Sequence, residues 1–232
     1  MSDASYNQFC PVSMAAEIVC SRWTLLVLRE LLVGSSRFNE LRRGLPGMSP
    51  ALLSKRLKDL EAAGIVMHVS AEREPGVLEY RLTEAGNELR PIIEAIGVWG
   101  HRWVTTEATL KNLDANLLMW DIRRNINADP MPPRRNVIEF IFNDQPLSER
   151  NYWLIVEPGR DVDLCLVDPG FDVDLYVSTD LPTLTRVWLG YATIESVLGD
   201  ERLVLIGNAG LGADLRIWLK LSVFAKIEKK VA

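Results

Sequence analysis

The sequence predicts an α+β protein in two parts, a small helical unit closed by a β-hairpin and then a sheet covered by helices. Three observations lead there. Between Pro11 and Ala63 the apolar residues recur at helical spacing, interrupted by short turns. After Gly64 the period drops from about 3.6 residues to about 2. Beyond the prolines at 130, 132 and 133, strand-like segments follow one another before helical spacing returns, the order of an α+β layer rather than of alternating βαβ units. At 232 residues with 48% apolar content, the chain has room for two cores.

Pro11 to Cys20 gives a short helix with Val12, Ala15, Ala16, Ile18 and Val19 as its apolar residues. In SRWTLLVLRELLVG, Trp23, Leu25, Leu26, Leu28, Leu31 and Leu32 make a largely buried helix stopped by Gly34. Arg37 opens a third helix that buries Phe38 and Leu41 and ends at Gly44. The turn LPGM leads to Ser49-Pro50, an N-cap followed by proline at the first helical position.

The fourth helix carries the chemistry. On a wheel of about 100° per residue, Leu53, Leu57 and Leu60 share one face, and Ala51, Lys55, Lys58 and Ala62 lie opposite with Ser54 at the side. A small, basic face opposite a leucine face suits the major groove of DNA, about 12 Å wide. Arg56 sits nearer the core edge, where laying its stem over the leucines competes with base contact. Charge agrees. From Arg22 to Lys58, eight basic residues face only Glu30 and Glu40, so 8 − 2 = +6. The whole chain is −5, which leaves −11 for everything outside that segment. A basic island on helix-turn-helix spacing is the electrostatic footprint of a DNA-binding module.

IVMHVSAER and VLEYRLT then read as two strands around the turn EPGV, with Arg73 near the tip. A helical pair followed by a hairpin is a winged helix-turn-helix. Glu84 to Val104 reads as one long helix whose stripe Ile92, Ile96, Trp99 and Trp103 exceeds what a small winged domain buries. A homodimer seam is the expected use, and packing onto the second domain is the competing one.

These pieces together resemble the HxlR family of bacterial winged-helix regulators. The resemblance runs from Cys10 to Trp103 through CPV, RWTLLVLREL, RFNEL, LPGMSPALLSKRLKDLEAAGIV, EYRLTEAG and the pair Trp99-Gly100. It implies a homodimer that reads an inverted repeat in double-stranded DNA, with the fourth helix in the major groove and the wing at the minor groove. The DNA-contact candidates are Arg37, Asn39, Ser49, Ala51, Ser54, Lys55, Lys58 and Arg73. In some members of that family a cysteine beside the N-terminal proline senses oxidants or electrophiles, which makes Cys10 a redox candidate. A passive cysteine in the N-terminal arm is the alternative.

Residues 105–135 read as a helical connector, with LDANLLMWDIRRNI as its helix and the prolines at 130–133 as the boundary. The expected division is a DNA-binding and dimerisation domain over 1–110, a connector over 111–135 and a ligand-binding domain over 136–232. In the last part NVIEFIFND, NYWLIVEPG, VDLCLVDPG and DVDLYVSTD form four strands in meander spacing. LPTLTRVWLGY and TIESVLGD follow as helices, then the strand RLVLIG and a final helix, LGADLRIWLKLSVFA. The pairs Asp161/Asp163 and Asp172/Asp174 are expected on solvent faces, because no histidine or glycine-rich calcium loop accompanies them. Residues 155–214 hold three basic and eleven acidic residues, −8 in all, so this part should repel DNA.

VDLCLVDPGFDVDLYVSTDLPTLTRVWLG, a short helix and RLVLIG resemble the sterol-carrier-protein-2 (SCP2) domain over about 136–226. That resemblance implies helices packed on a curved sheet and an apolar cavity for a lipid or acyl chain. Leu184, Trp188, Val197, Leu215 and Trp218 are the lining candidates, and ordinary core is their alternative role.

Several classes fall away. No apolar run approaches the roughly 18 residues of a membrane span, and MSDASYNQFCPVS has no secretory pattern. Three cysteines without CxxC or histidine spacing support neither a disulfide framework nor a zinc site. Both histidines, His68 and His101, lie in the first half, so no triad, carboxylate pair or Cys-His arrangement can be built in the second. The expectation is a cytoplasmic, non-enzymatic transcriptional regulator without cofactor or metal, responding to a small hydrophobic effector or to oxidation. The competing reading is a lipid carrier whose winged domain serves dimerisation.

Overall fold

The computed structural model describes residues 5–71, 74 and 76–231. It divides into two compact units, Met1–Gly97 and Val98–Ala232. The first contains α1 (Pro11–Val19), α2 (Thr24–Leu32), α3 (Phe38–Gly44), α4 (Pro50–Ala62), the strands β1 (Val66–Ser70) and β2 (Leu78–Leu82), and α5 (Glu84–Glu88). α6 (Arg90–Trp103) follows, and the division between units falls inside it. Val27, Leu28 and Leu31 of α2, Leu41 of α3 and Leu53, Leu57 and Leu60 of α4 meet in one core, which Ile65 and Val66 close from the hairpin. β1 and β2 pair antiparallel from Val66↔Leu82 to Ser70↔Leu78.

The single long helix expected from Glu84 to Val104 is two helices, broken at Leu89. Pro91 is the cause. It has no N–H to donate to Asn87, and its ring crowds the carbonyl one turn back.

A buried carboxylate ties α2 to α3. Glu30 is 0% exposed; it accepts from Arg29 Nη2 at 2.8 Å and Ser35 Oγ at 3.1 Å. Arg29 also donates to the Gly44 carbonyl at 2.8 Å. A Cβ on Gly44 would stand 1.9 Å from Glu30 Oε2. The carboxylate cannot swing aside without losing Ser35 and Arg29, so Gly44 is required for close approach and not for an unusual φ. Gly44→Ala is expected to destabilise the first unit by about 1–3 kcal/mol through overpacking, read as a lower urea midpoint with an unchanged slope.

The second unit carries β3 (Asn136–Phe142), β4 (Asn151–Val156), β5 (Asp163–Cys165), β6 (Leu175–Thr179) and β7 (Leu203–Gly207) in one sheet ordered β5-β4-β3-β6-β7. The four-strand meander therefore holds only for its first three strands. β6 crosses over and pairs parallel with β3, Ile138 opposite Leu175. Asp174 supplies the anchor. Its carboxylate accepts the Val137 N–H at 2.9 Å and the Arg134 guanidinium at 2.7 and 3.1 Å, docking the head of β6 beside β3. Burial alone would raise the Asp174 pKa, yet these partners outweigh it and lower it. Asp174 is thus a structural pin, not the solvent-face residue its i, i+2 spacing suggested.

Around the sheet stand α7 (Thr106–Leu110), α8 (Ala115–Asn125), α9 (Leu181–Trp188), α10 (Ile194–Gly199), α11 (Ala209–Ala213) and α12 (Leu215–Trp218). Ile138, Phe140, Phe142, Leu154, Leu175 and Val177 line the inner sheet face, and α8 adds Leu118, Met119, Trp120 and Ile122 to the same core. The final helix is shorter than its apolar spacing predicted. It breaks at Asp214 and stops at Trp218. The Trp218 carbonyl, which a longer helix would offer to Ser222, instead accepts from Asn127 N at 2.9 Å, while Ser222 N donates to the Trp188 carbonyl.

The last residues return to the end of α6. Lys229 Nζ donates to the Val104 carbonyl at 2.6 Å, the Tyr191 hydroxyl at 3.1 Å and the His101 carbonyl at 3.2 Å. A lysine on the last carbonyls of a helix satisfies acceptors that have no partner inside it. The His101 ring is buried near Tyr191 and Phe224, and burial, then the charge of Lys229, lowers its pKa.

Candidate nucleic-acid interface

α4 begins where Ser49 accepts the Leu52 N–H at 3.3 Å, with Pro50 following. Leu53, Leu57 and Leu60 are at most 1% exposed, while Ala51, Lys55 and Lys58 are exposed and Ser54 is half-buried. With 13 residues the helix is about 20 Å long. Among the described residues neither Lys55 nor Lys58 has an ion-pair or hydrogen-bond partner. Two free ammonium groups therefore stand on the face turned away from the core. Arg56 behaves differently. It donates to the Arg22 carbonyl at 3.1 Å and pairs with Asp59 at 2.9 Å, with its side chain 17% exposed. Its role is packing and capping of neighbouring backbone.

Arg37 is not free either. It forms the N-cap of α3, and its guanidinium donates to Glu74 at 2.6 Å and lies 3.9 Å from Glu79. The bond and charge of Glu74 raise the Arg37 pKa, and Arg37 lowers that of Glu74. The pair fastens the start of α3 to the hairpin. Asn39 is exposed on α3. Arg73 lies outside the described residues. Sequence reading missed the Arg29–Glu30–Ser35–Gly44 network beneath this surface, although a glutamate inside TLLVLRELL was its visible signal.

The other candidates fall elsewhere. Ile92, Ile96, Trp99 and Trp103 occupy one face of α6 and are 51%, 46%, 62% and 49% exposed, a row of large apolar groups left open among the described residues. Leu184, Trp188, Val197, Leu215 and Trp218 are all buried in the second core, and Trp218 Nε1 donates to the Leu211 carbonyl at 2.8 Å. Cys10, half-buried, is the N-cap of α1, where the N–H groups of Ser13 and Val12 lower its thiol pKa without closing a capping bond. Among the described residues, no three His, Cys, Asp or Glu side chains gather as a metal site. No single described helix is long and apolar enough to cross a membrane; α1 and α2 pass that test only as a pair bent by 81°.

Helix, turn, helix and hairpin, with the basic face of the second helix bare, define the winged helix-turn-helix class. Residues 18–108 match the HxlR-like helix-turn-helix family. The transcriptional regulator YvaP of Bacillus subtilis is 38% identical over 99 residues, which span 42% of this chain and 92% of YvaP. The regulator sll1512 of Synechocystis is 35% identical over 102 residues, 44% of this chain and 76% of that one. Among solved structures, the redox regulator HypR in its reduced form is similar at 34% identity and a TM-score of 0.36, covering 39% of this chain and 90% of HypR. The protein belongs to the HxlR-like helix-turn-helix family, a family of transcriptional regulators and not of enzymes.

The position of Cys10 has a measurable consequence. Thiolate is the reactive form, so a lowered pKa enlarges the reactive fraction near neutrality. The iodoacetamide alkylation rate of Cys10, followed by mass spectrometry in a Cys20→Ser/Cys165→Ser background, is expected to reach half-maximum at lower pH than for a free cysteine peptide. A midpoint at or above the peptide's would show that the α1 N–H groups do not act on the sulfur.

Proposed function

We propose that this protein regulates transcription as a cytoplasmic homodimer on double-stranded DNA, with α4 in the major groove and the hairpin beside the minor groove. The observation that carries the reading is the pair of unpartnered lysines, Lys55 and Lys58, on the outer face of a helix whose other face is core. Ala51 and Ser54 allow close approach to base edges, and Ser49 and Asn39 flank the groove. Arg37 reaches a phosphate only by exchanging Glu74 for it. Arg73 belongs to the same proposed surface by its sequence position alone.

Electrophoretic mobility shift on the DNA upstream of the protein's own gene tests this. Lys55→Ala/Lys58→Ala is expected to lose about tenfold affinity or more for each lysine, with circular dichroism unchanged. Normal binding by the double variant would remove α4 as the recognition helix.

The dimer reading rests on the exposed row along α6, since large uncovered apolar patches mark interfaces. A C2 dimer sets two recognition helices one DNA turn apart, roughly 34 Å. Trp99→Glu is expected to give a monomeric mass at micromolar concentration, against a dimeric parent, by sedimentation. A monomeric parent would end the dimer reading.

Residues 1–110 are the proposed DNA-binding and dimerisation domain, 111–135 the link, and 136–232 an SCP2-like effector domain. The mixed five-stranded sheet with helices against one face supports the SCP2 likeness. A hydrophobic effector at Leu184, Trp188, Val197, Leu215 and Trp218 would have to open packed core to enter. The lowered pKa of Cys10 favours a second input, oxidation at that thiol. The lipid-carrier alternative gives no role to Lys55 and Lys58.

A further inference from the structure

The β5 edge of the sheet in the second unit offers an open site that the packed core does not. Leu154 and Leu164 point into the core, so their strand neighbours Ile155 and Asp163, which are register partners, project from the opposite face. There they line a cleft of about 440 Å³, within the range of small-molecule sites.

Its wall side chains contact one another. Arg135 and Arg160 share the Glu157 carboxylate, Arg135 Nε on one oxygen and Arg160 Nη1 on the other at 2.8 Å. The Arg135 guanidinium also lies 4.0 Å from the centre of the Phe171 ring. Arg123 enters from α8, held 4.2 Å over Trp120 and bonded to the Val162 carbonyl at 2.8 Å.

The charges left over have both signs. Two guanidiniums on one carboxylate leave a positive surplus at Arg135 and Arg160. Asp161 and Asp163 meet no cation at ion-pair distance among the described residues, which leaves a negative surplus beside it. Ile155, Val162 and Phe171 supply apolar wall between them. A simple cation would leave the arginine surplus unanswered. A simple anion would face Asp161 and Asp163 within a segment, 155–214, that carries −8.

We propose that this cleft binds a zwitterion with an apolar body, of the class of free α-amino acids bearing a large apolar side chain. The ammonium lies at Asp161 and Asp163, the carboxylate at Arg135 and Arg160, and the side chain against Ile155, Val162 and Phe171. The proposal builds on reading residues 136–232 as the effector domain and moves the effector out of the core to the β5 edge of the sheet.

Isothermal titration of the full chain with L-phenylalanine tests it, with N-acetyl-L-phenylalanine lacking the cation and 2-phenylethylamine lacking the anion. Saturable binding is expected for L-phenylalanine, weakened about tenfold or more for each analogue and in Asp163→Asn and Arg135→Met. Asp161→Asn, at an exposed loop position, serves in place of Arg135→Met if circular dichroism shows that variant unfolded. Absence of saturable heat to about 10 mM, analogues binding as tightly, or unchanged binding by the folded variants would overturn the site. Binding that leaves operator affinity unaltered in a mobility shift supports the site and counts against the effector reading, so the two fail separately.

Discussion

The placement of the basic face of α4 depends on a charge that never meets the solvent. Glu30 sits wholly inside the first unit, and the geometry between α2 and α3 is set by what its carboxylate touches: Arg29, Ser35 and the bare Cα of Gly44. A buried ion is weak evidence for stability, since desolvation offsets much of the Coulomb attraction, but removing one partner leaves the other stranded at high cost. Its value here is positional. α3 is held at one distance from α2, and the turn that follows delivers α4 with Leu53, Leu57 and Leu60 inward and both lysines outward. Slippage along an all-leucine interface would cost little; slippage of a bonded carboxylate breaks its bonds to Arg29 and Ser35.

A second carboxylate plays a comparable part in the other unit. Asp174 accepts a backbone N–H of β3 and a guanidinium, so β6 enters the sheet beside the central β3 and not at the edge next to β5. That crossover brings the segment with Phe171 beside Arg135 at the cleft along the β5 edge. In both units an acidic side chain fixes the position of an element, Glu30 that of α3 and Asp174 that of β6; only Asp174 was expected on a solvent face.

Much of the first unit was legible because its signals are local. The cap at Ser49, the proline after it, the leucine stripe and the change of period at Gly64 each lie within a few residues and agree with one another. The basic face of α4 follows from the same wheel. What the sequence hid is non-local. Nothing near Arg37 announces that Glu74 occupies it. The break at Leu89 was available from Pro91 but was overridden by a long apolar stripe. The meander failed because turn signals mark where strands end and not which neighbour the next strand takes. The last helix failed because the Trp218 carbonyl is claimed by Asn127, far away in the chain.

The closure at Lys229 also bears on how the protein is made. Its partners on α6 are 125 and 128 residues earlier in the chain. The first unit holds its whole core before residue 97 and can assemble while synthesis continues, as N-terminal domains generally do. The second unit cannot complete its contacts until residue 229 has been translated and has left the ribosome. The nascent chain therefore passes through a stage in which the winged unit is finished and the end of α6 still waits for its lysine.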